Sequence, residues 1–147
     1  KPPAAQVFAG KILYHIAPSF VMPNGLELNA ISRDPATVAA YQVDPLVHDK
    51  MSARLGMDIL QQGEWAIQHA SEFPPIPLLL VHGSCDRLTS APATEEFARK
   101  SGAGSTRADI TLKLWPECYH ETHNDPEKDQ VIAYMIDWLN ARLKIED

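Results

Sequence analysis

The pattern of apolar positions changes character near Phe73-Pro74-Pro75-Ile76-Pro77. Before this proline cluster, apolar residues recur at helical spacing between loops. After it, short apolar runs alternate with helical segments. Leu78 to His82 is a continuous apolar run bounded by proline and glycine, which predicts a strand buried on both faces of a parallel sheet. Pro92 to Lys100 predicts a short helix, with proline near its start and Gly102 past its end. Ile110, Leu112 and Leu114 alternate with Thr111, Lys113 and Trp115, the period of a strand. Asn124-Asp125-Pro126-Glu127 opens a last helix, with Asp125 as N-cap and Pro126 at the first helical position. Val131, Ile132, Met135, Ile136, Leu139 and Leu143 form its expected buried stripe. Strand, helix, strand, helix is one βαβ unit with a covering helix.

The first part of the chain predicts helices and loops. Val7 to Ile16 is an apolar helical segment closed by Pro18, and Asn24-Gly25 marks a turn. Asp34 and Pro35 have the form of an N-cap and first helical residue, and Tyr41 to Pro45 leads into a loop. Ser52 to Ala70 predicts a longer helix whose shared face carries Leu55, Ile59 and Leu60, extended by Ile67. Gly56 and Gly63 weaken that helix without ending it. The expected division is therefore 1–72, mainly helical, and 73–147, alternating strand and helix.

A chain of 147 residues with 45% apolar composition fits one domain with a core. A net charge of −6 and a pI near 5.4, with no Lys/Arg cluster, argue against nucleic acid as a partner. Two cysteines, Cys85 and Cys118, make no disulfide framework, and a reducing, cytoplasmic setting is expected. No secretory signal is visible, and Lys1 is not expected to be the natural start. The longest apolar stretch, Val7 to Met22, is broken by Lys11, His15 and Pro18. It falls short of the roughly 20 apolar residues of a membrane span.

Candidate chemistry sits where the two predicted strands end. In open α/β sheets, function gathers at the carboxyl ends of the strands. Asp86 follows the first strand by a short turn, and His120 follows the second by a similar one. Neighbouring strands lie only about 4.8 Å apart, so the two loops can bring Asp86 within hydrogen-bond reach of His120. A carboxylate there fixes the imidazole tautomer and stabilises the imidazolium formed when the base takes a serine proton. Each residue alone has a blander role: Gly-x-x-Asp after a strand is common turn chemistry, and a lone loop histidine is common surface. Together, in the order acid then base, they match the last two members of a Ser-Asp-His triad. The serine is missing, since no serine of the chain sits in G-x-S-x-G.

Other readings of these residues are weaker. His120-Glu121-Thr122-His123 superficially resembles a zinc motif, but its histidines are three apart rather than four and no third ligand is evident, so no metal is expected. Cys85 and Cys118 flank Asp86 and His120; a disulfide fits such neighbouring strand ends, while free thiols are the simpler expectation. Nothing marks either thiol as an activated nucleophile. Ser84 lacks a glycine two residues before it and is expected to be a loop residue. Arg87 and Glu121 are assigned no role.

At these residues the chain resembles the monoglyceride lipase and lysophospholipase-like α/β-hydrolases, of the serine aminopeptidase or Hydrolase_4 type. The resemblance is carried by Ile31-Ser32-Arg33-Asp34-Pro35, Tyr41-Gln42-Val43-Asp44-Pro45-Leu46-Val47, Leu80-Val81-His82-Gly83-Ser84-Cys85-Asp86-Arg87-Leu88, and Tyr119-His120-Glu121 leading to Asn124-Asp125. It implies an α/β fold: the C-terminal portion of an α/β-hydrolase, its last two parallel strands with their helices, preceded by a helical cap over residues 1–72. It implies Asp86 as triad acid, His120 as triad base and no cofactor. Val7 to Val21 would be the apolar cap segment that approaches lipid surfaces, or else an ordinary buried amphipathic helix. Cys118 stands where the family commonly has glycine. The family's oxyanion loop and G-x-S-x-G elbow would precede Lys1.

Two expectations of different class follow. In the first, the chain is part of a serine-type ester hydrolase acting on monoacylglycerol-like or other carboxylic esters. Its partners would be an ester or lipid substrate and the N-terminal half of the same hydrolase, which carries the nucleophile and pairs with the unpaired edge of the first strand. In the second, the chain is a catalytically silent interaction or lipid-surface module whose Asp86 and His120 are relics. A haloperoxidase-like or C–C hydrolase activity would keep the same two residues.

Overall fold

A computed structural model of the chain describes residues 4–102 and 109–143. Helix α1 (Ala4–Ile16) leads to strand β1 (Val21–Pro23), helix α2 (Pro35–Val43), strand β2 (Lys50–Ser52) and helix α3 (Ala53–Gln68). Strand β3 (Leu78–Gly83), helix α4 (Ala91–Lys100), strand β4 (Ile110–Trp115) and helix α5 (Lys128–Asn140) follow. Local signals account for most boundaries. Asp34 caps α2 by accepting from Ala36 N–H, with Pro35 behind it. Ser52 caps α3 through Leu55 N–H, and Ser90 caps α4 through Ala93 N–H. Gly25 takes a left-handed φ of 68° in the predicted Asn24-Gly25 turn, where glycine escapes the Cβ penalty.

β3 and β4 are parallel and in register from Leu78 opposite Ile110 to Gly83 opposite Trp115. β1 and β2, absent from the sequence expectation, form a short antiparallel pair from Val21 opposite Ser52 to Pro23 opposite Lys50. The α4 side of the parallel pair carries His82, which meets Thr94 of α4. The opposite side takes α5. There Trp115, Cys118 and Val131 form a buried cluster joined by Val81 and Tyr134, and Trp138 Nε1 donates to Thr111 Oγ1. The Thr111/Lys113/Trp115 face of β4 is therefore a packing face as much as the Ile110/Leu112/Leu114 face. Lys113 reaches it by laying its ammonium over the Trp115 and Tyr134 rings.

Four expectations need correction. β3 is half-buried along most of its length rather than enclosed on both faces. It has a single paired edge among the described residues, and only its terminal Gly83 is buried. In α3 the expected face of Leu55, Ile59 and Leu60 is exposed, while Ala53 and Met57 are buried. The small Gly10 of α1 admits Met57 so closely that an added Cβ would lie 2.9 Å from its sulfur, which draws the opposite face of α3 inward. In α5 only Val131 of the expected stripe is buried; Ile132, Met135, Ile136, Leu139 and Leu143 are exposed. The helix packs through Val131, Tyr134 and Trp138 instead. Its start also differs: α5 begins at Lys128, and Asp125 is not its N-cap, because the Asp125 carboxylate is engaged by residues from the first half of the chain.

Candidate active site

The turn after β3 presents Asp86. Gly83 is required there by close approach, since an added Cβ would run into the carbonyls of Tyr119 and Cys118 in the loop after β4. That contact holds the two loops together, as do Ser84 N–H to Trp115 O at 2.9 Å and Cys85 N–H to Cys118 O at 3.0 Å. The Asp86 side chain is 2% exposed. Its Oδ1 accepts from Leu88 N–H at 2.7 Å and Thr89 N–H at 3.0 Å, and its Oδ2 accepts from Thr89 Oγ1 at 2.6 Å. His120 Nδ1 lies 2.9 Å from Oδ2. Burial alone would raise the Asp86 carboxyl; hydrogen bonds from the Thr89 hydroxyl, His120 and the Thr89 and Leu88 amides outweigh it and hold the group below its ordinary range. An ionised Asp86 can only accept, so the neutral imidazole of His120 carries its proton on Nδ1 and leaves Nε2 as a base. The His120 side chain is 38% exposed, so that base is accessible.

The loop that carries His120 is pinned from the other half of the chain. Glu121 N–H donates to Ile31 O at 2.9 Å, and His120 N–H to Ala30 O at 3.4 Å. Tyr119 N–H donates to Asp125 Oδ2 at 2.8 Å. Asp125 is fully buried and also accepts from Arg33 N–H at 2.6 Å, Arg33 Nε at 3.0 Å and Ser32 Oγ at 2.9 Å. Burial would raise its carboxyl, but the amides of Arg33 and Tyr119, the guanidinium and the Ser32 hydroxyl hold it low. Arg33 also pairs with Glu127. Burial would lower the guanidinium pKa; Asp125 and Glu127 override it and push it up. Arg87, given no role from sequence, ties Asp86's neighbourhood to the same segment by donating to Glu27 at 2.8 Å and lying over the Tyr119 ring.

The remaining candidates fall away from the site. The described residues place Cys118, Asp125 and Glu127 within 4.8 Å of one another, but the Arg33 guanidinium already serves that group as its cation. Neither His120 nor His123 belongs to it, and His123 is exposed in the turn Thr122–Asn124. Both cysteines are free thiols, Cys85 exposed and Cys118 buried. Burial first, then Glu127 and Asp125, pushes the Cys118 thiol up to about 12, so the group stays a protonated thiol near neutral pH. Ser84 is a loop residue whose Oγ accepts from Glu117 N–H at 2.9 Å.

Three residues around Asp86 escaped the sequence reading. His82 Nε2 is 3.1 Å from Asp86 Oδ2, Thr94 Oγ1 is 2.9 Å from His82 Nδ1, and Thr89 bonds both carboxylate oxygens. Asp86-x-x-Thr89 is a visible side-chain turn pattern. His82 was hidden because it closes an otherwise apolar run.

Parallel strands whose successive carboxyl-end loops bring an aspartate and then a histidine together are the arrangement found at the end of an α/β-hydrolase core. The chain belongs to the Hydrolase_4 family, described as serine aminopeptidase, S33, whose profile matches residues 1–127. It is 36% identical to an uncharacterized abhydrolase domain-containing protein of Dictyostelium discoideum, over 92% of this chain and 14% of that protein. It is 34% identical to a monoacylglycerol lipase of Mycolicibacterium smegmatis, over 93% of this chain and 47% of that one. The crystal structure of Paleococcus ferrophilus monoacylglycerol lipase superposes with a TM-score of 0.86 at 31% identity, covering 95% of this chain and 52% of that one. The chain thus spans about half the length, or less, of the curated relatives it matches. Its fold is that of the C-terminal portion of a monoglyceride lipase-like α/β-hydrolase. No described helix is long and apolar enough to cross a membrane.

Proposed function

We propose that this chain supplies the acid and base of a serine-type carboxylic ester hydrolase acting on monoacylglycerol-like esters. The observation that carries the reading is the 2.9 Å contact of His120 Nδ1 with a buried, ionised Asp86, beside an accessible Nε2. Relatives named as monoacylglycerol lipases support the substrate class. In the reaction, His120 Nε2 takes the proton of a serine hydroxyl as its oxygen attacks the ester carbonyl. The imidazolium, stabilised by Asp86, returns that proton to the departing alcohol oxygen as the C–O bond breaks. Water then cleaves the acyl-enzyme by the same proton path, releasing the acid.

The nucleophile and the oxyanion donors belong to an N-terminal half of the hydrolase, outside residues 1–147, that pairs with the open edge of β3. Residues 1–72 act as a cap over the core formed by residues 73–147. In that cap, Phe8, Ile12 and Ile16 of α1, with Phe20 beyond it, are exposed, which suits an ester with an acyl chain or peripheral contact with a lipid surface.

In the hydrolase completed by that half, His120→Ala should reduce monoacylglycerol hydrolysis to background. A fluorophosphonate probe should label a serine on the completing polypeptide and none on this chain. Full turnover by the variant, or no labelling in any reconstitution, would overturn the reading in favour of a silent interaction module.

A further inference from the structure

We propose that His82 is a positioning residue for the acid–base pair: held in one tautomer by the Asp86 carboxylate and braced at Nδ1 by Thr94, it presents Nε2–H to Asp86 and fixes the carboxylate oxygen that receives His120. The inference rests on the hydrolase reading for its purpose but on geometry for its content. His82 is the penultimate residue of β3, four residues before Asp86, and its side chain is 11% exposed. Its two ring nitrogens have different neighbours. Nδ1 lies 2.9 Å from Thr94 Oγ1 on α4. Nε2 lies 3.1 Å from Asp86 Oδ2 and 3.4 Å from Thr89 Oγ1.

For a neutral His82 ring, one arrangement of protons suits all four groups. A bare Nε2 would set its lone pair against the lone pairs of an ionised carboxylate in a site poor in water, which is repulsive. A proton on Nε2 makes that contact attractive and is shared between Asp86 Oδ2 and Thr89 Oγ1. Nδ1 is then the bare nitrogen, and the Thr94 hydroxyl donates to it. Thr89 in turn donates its own hydroxyl proton to Oδ2 at 2.6 Å, which leaves its oxygen free to accept from His82. The charged and titratable groups at hydrogen-bond distance are therefore Asp86 and, through Oδ2, His120; Thr89 and Thr94 are neutral.

The consequence concerns which oxygen faces the base. Oδ1 is fixed by two backbone amides, Leu88 and Thr89. Oδ2 is shared by Thr89, His120 and His82. His82 approaches from the strand and closes that side of Oδ2, so His120 meets a carboxylate with little freedom to rotate. It also draws part of the Oδ2 charge away from His120. Removing the competing donor leaves a stronger acceptor for the His120 Nδ1 proton.

Long-range proton–nitrogen NMR on the histidine-labelled chain tests this without any hydrolysis. In the unaltered chain the neutral form of His82 should show the Nε2–H tautomer. In His82→Phe the low-field Nδ1 proton of His120 should move further downfield, and His82→Gln, which restores an N–H near the same place, should bring it back toward its original position. In Thr94→Val, His82 should keep the Nε2–H tautomer, because the Asp86 carboxylate alone makes a bare Nε2 repulsive. An Nδ1–H tautomer for His82, or an unmoved His120 signal in folded His82→Phe, would overturn the proposal. Should His82→Phe fail to fold, the unaltered chain and Thr94→Val still decide it: an Nδ1–H signature for His82 in either counts against the contact with Asp86. Because these signals report on this chain alone, they stand apart from probe labelling, which tests the hydrolase reading.

Discussion

Asp86 and Asp125 are, among the described residues, the two buried carboxylates held below their ordinary range, and they make opposite use of the same chemistry. Each is nearly inaccessible; Asp125 accepts four hydrogen bonds, and Asp86 accepts four with His82 Nε2 as a further donor 3.1 Å from Oδ2. The donors differ in origin. Apart from His120 and His82, Asp86 draws its bonds from Leu88 and Thr89 in its own turn. Asp125 draws from Ser32 and Arg33, over ninety residues away, and from Tyr119. A carboxylate satisfied locally can spend one oxygen on an accessible histidine. A carboxylate satisfied by a distant segment is a clasp, with nothing left to offer a substrate. Burial and charge alone do not separate a site from a structural knot; the exposure of the partner does.

The largest expected effect breaks the comparison at Asp86. Asp86→Asn in the completed hydrolase should lower kcat by about 10⁴-fold, since an amide can stabilise the wrong imidazole tautomer. The fold should barely notice, because the asparagine carbonyl can still accept from Leu88 and Thr89 N–H. A loss of stability of no more than about 1 kcal/mol in urea unfolding is expected. Asp125→Ala should do the reverse in this chain. It leaves the Arg33 guanidinium without its buried partner and the Tyr119 amide without an acceptor, at a cost of about 3–5 kcal/mol. If the two variants lost stability equally, the distinction between site and clasp would fail.

The same contrast governs acid stability. Both carboxyls have folded pKa values depressed below the ordinary 3.8. The stability they contribute is therefore full above that pH and is lost as pH falls through the folded values. Subtracting the Asp125→Asn unfolding curve from that of the unaltered chain should give a difference that is flat above about pH 4 and shrinks below it. A difference that grew on acidification would reverse the sign and show that Asp125 is not held as the anion.

What sequence made legible follows the same line. The Asp86–His120 pair could be anticipated because both residues are fixed by local rules: a strand, a turn, a side chain at its carboxyl end. β3, α4 and β4 came out within a residue of their observed limits because proline, glycine and N-caps bound them. Asp-Pro is a strong local signal and predicts a helix cap at Asp125, while its actual partners Ser32 and Arg33 are invisible to any local window. In α5 the apolar period marks two faces, and nothing in the helix itself says that Val131, Tyr134 and Trp138 are the covered one. The β1–β2 pair is a contact between three-residue strands far apart in sequence, beyond the reach of periodicity.

The smallest effect is also the sharpest probe of the comparison, because each region carries one thiol. Cys85 adjoins Asp86 on the exposed turn, while Cys118 lies in the clasp, where its thiol is 3.5 Å from Glu127 and 3.6 Å from Arg33. The Cys118 thiol is pushed up to about 12, so at pH 8 almost none of it is thiolate, and reaction runs through thiolate. Treating the folded chain with an aromatic disulfide should therefore release one equivalent quickly, from Cys85, and the second only on unfolding. Opening the clasp with Asp125→Ala should speed the second equivalent without touching the first, since Cys118 gains solvent while the Asp86 turn keeps its own hydrogen bonds. Asp86→Asn should leave both rates alone. Were Cys118 to react as fast as Cys85 in the unaltered chain, the clasp would be open in solution, and Asp125 could not be what holds the His120 loop in place.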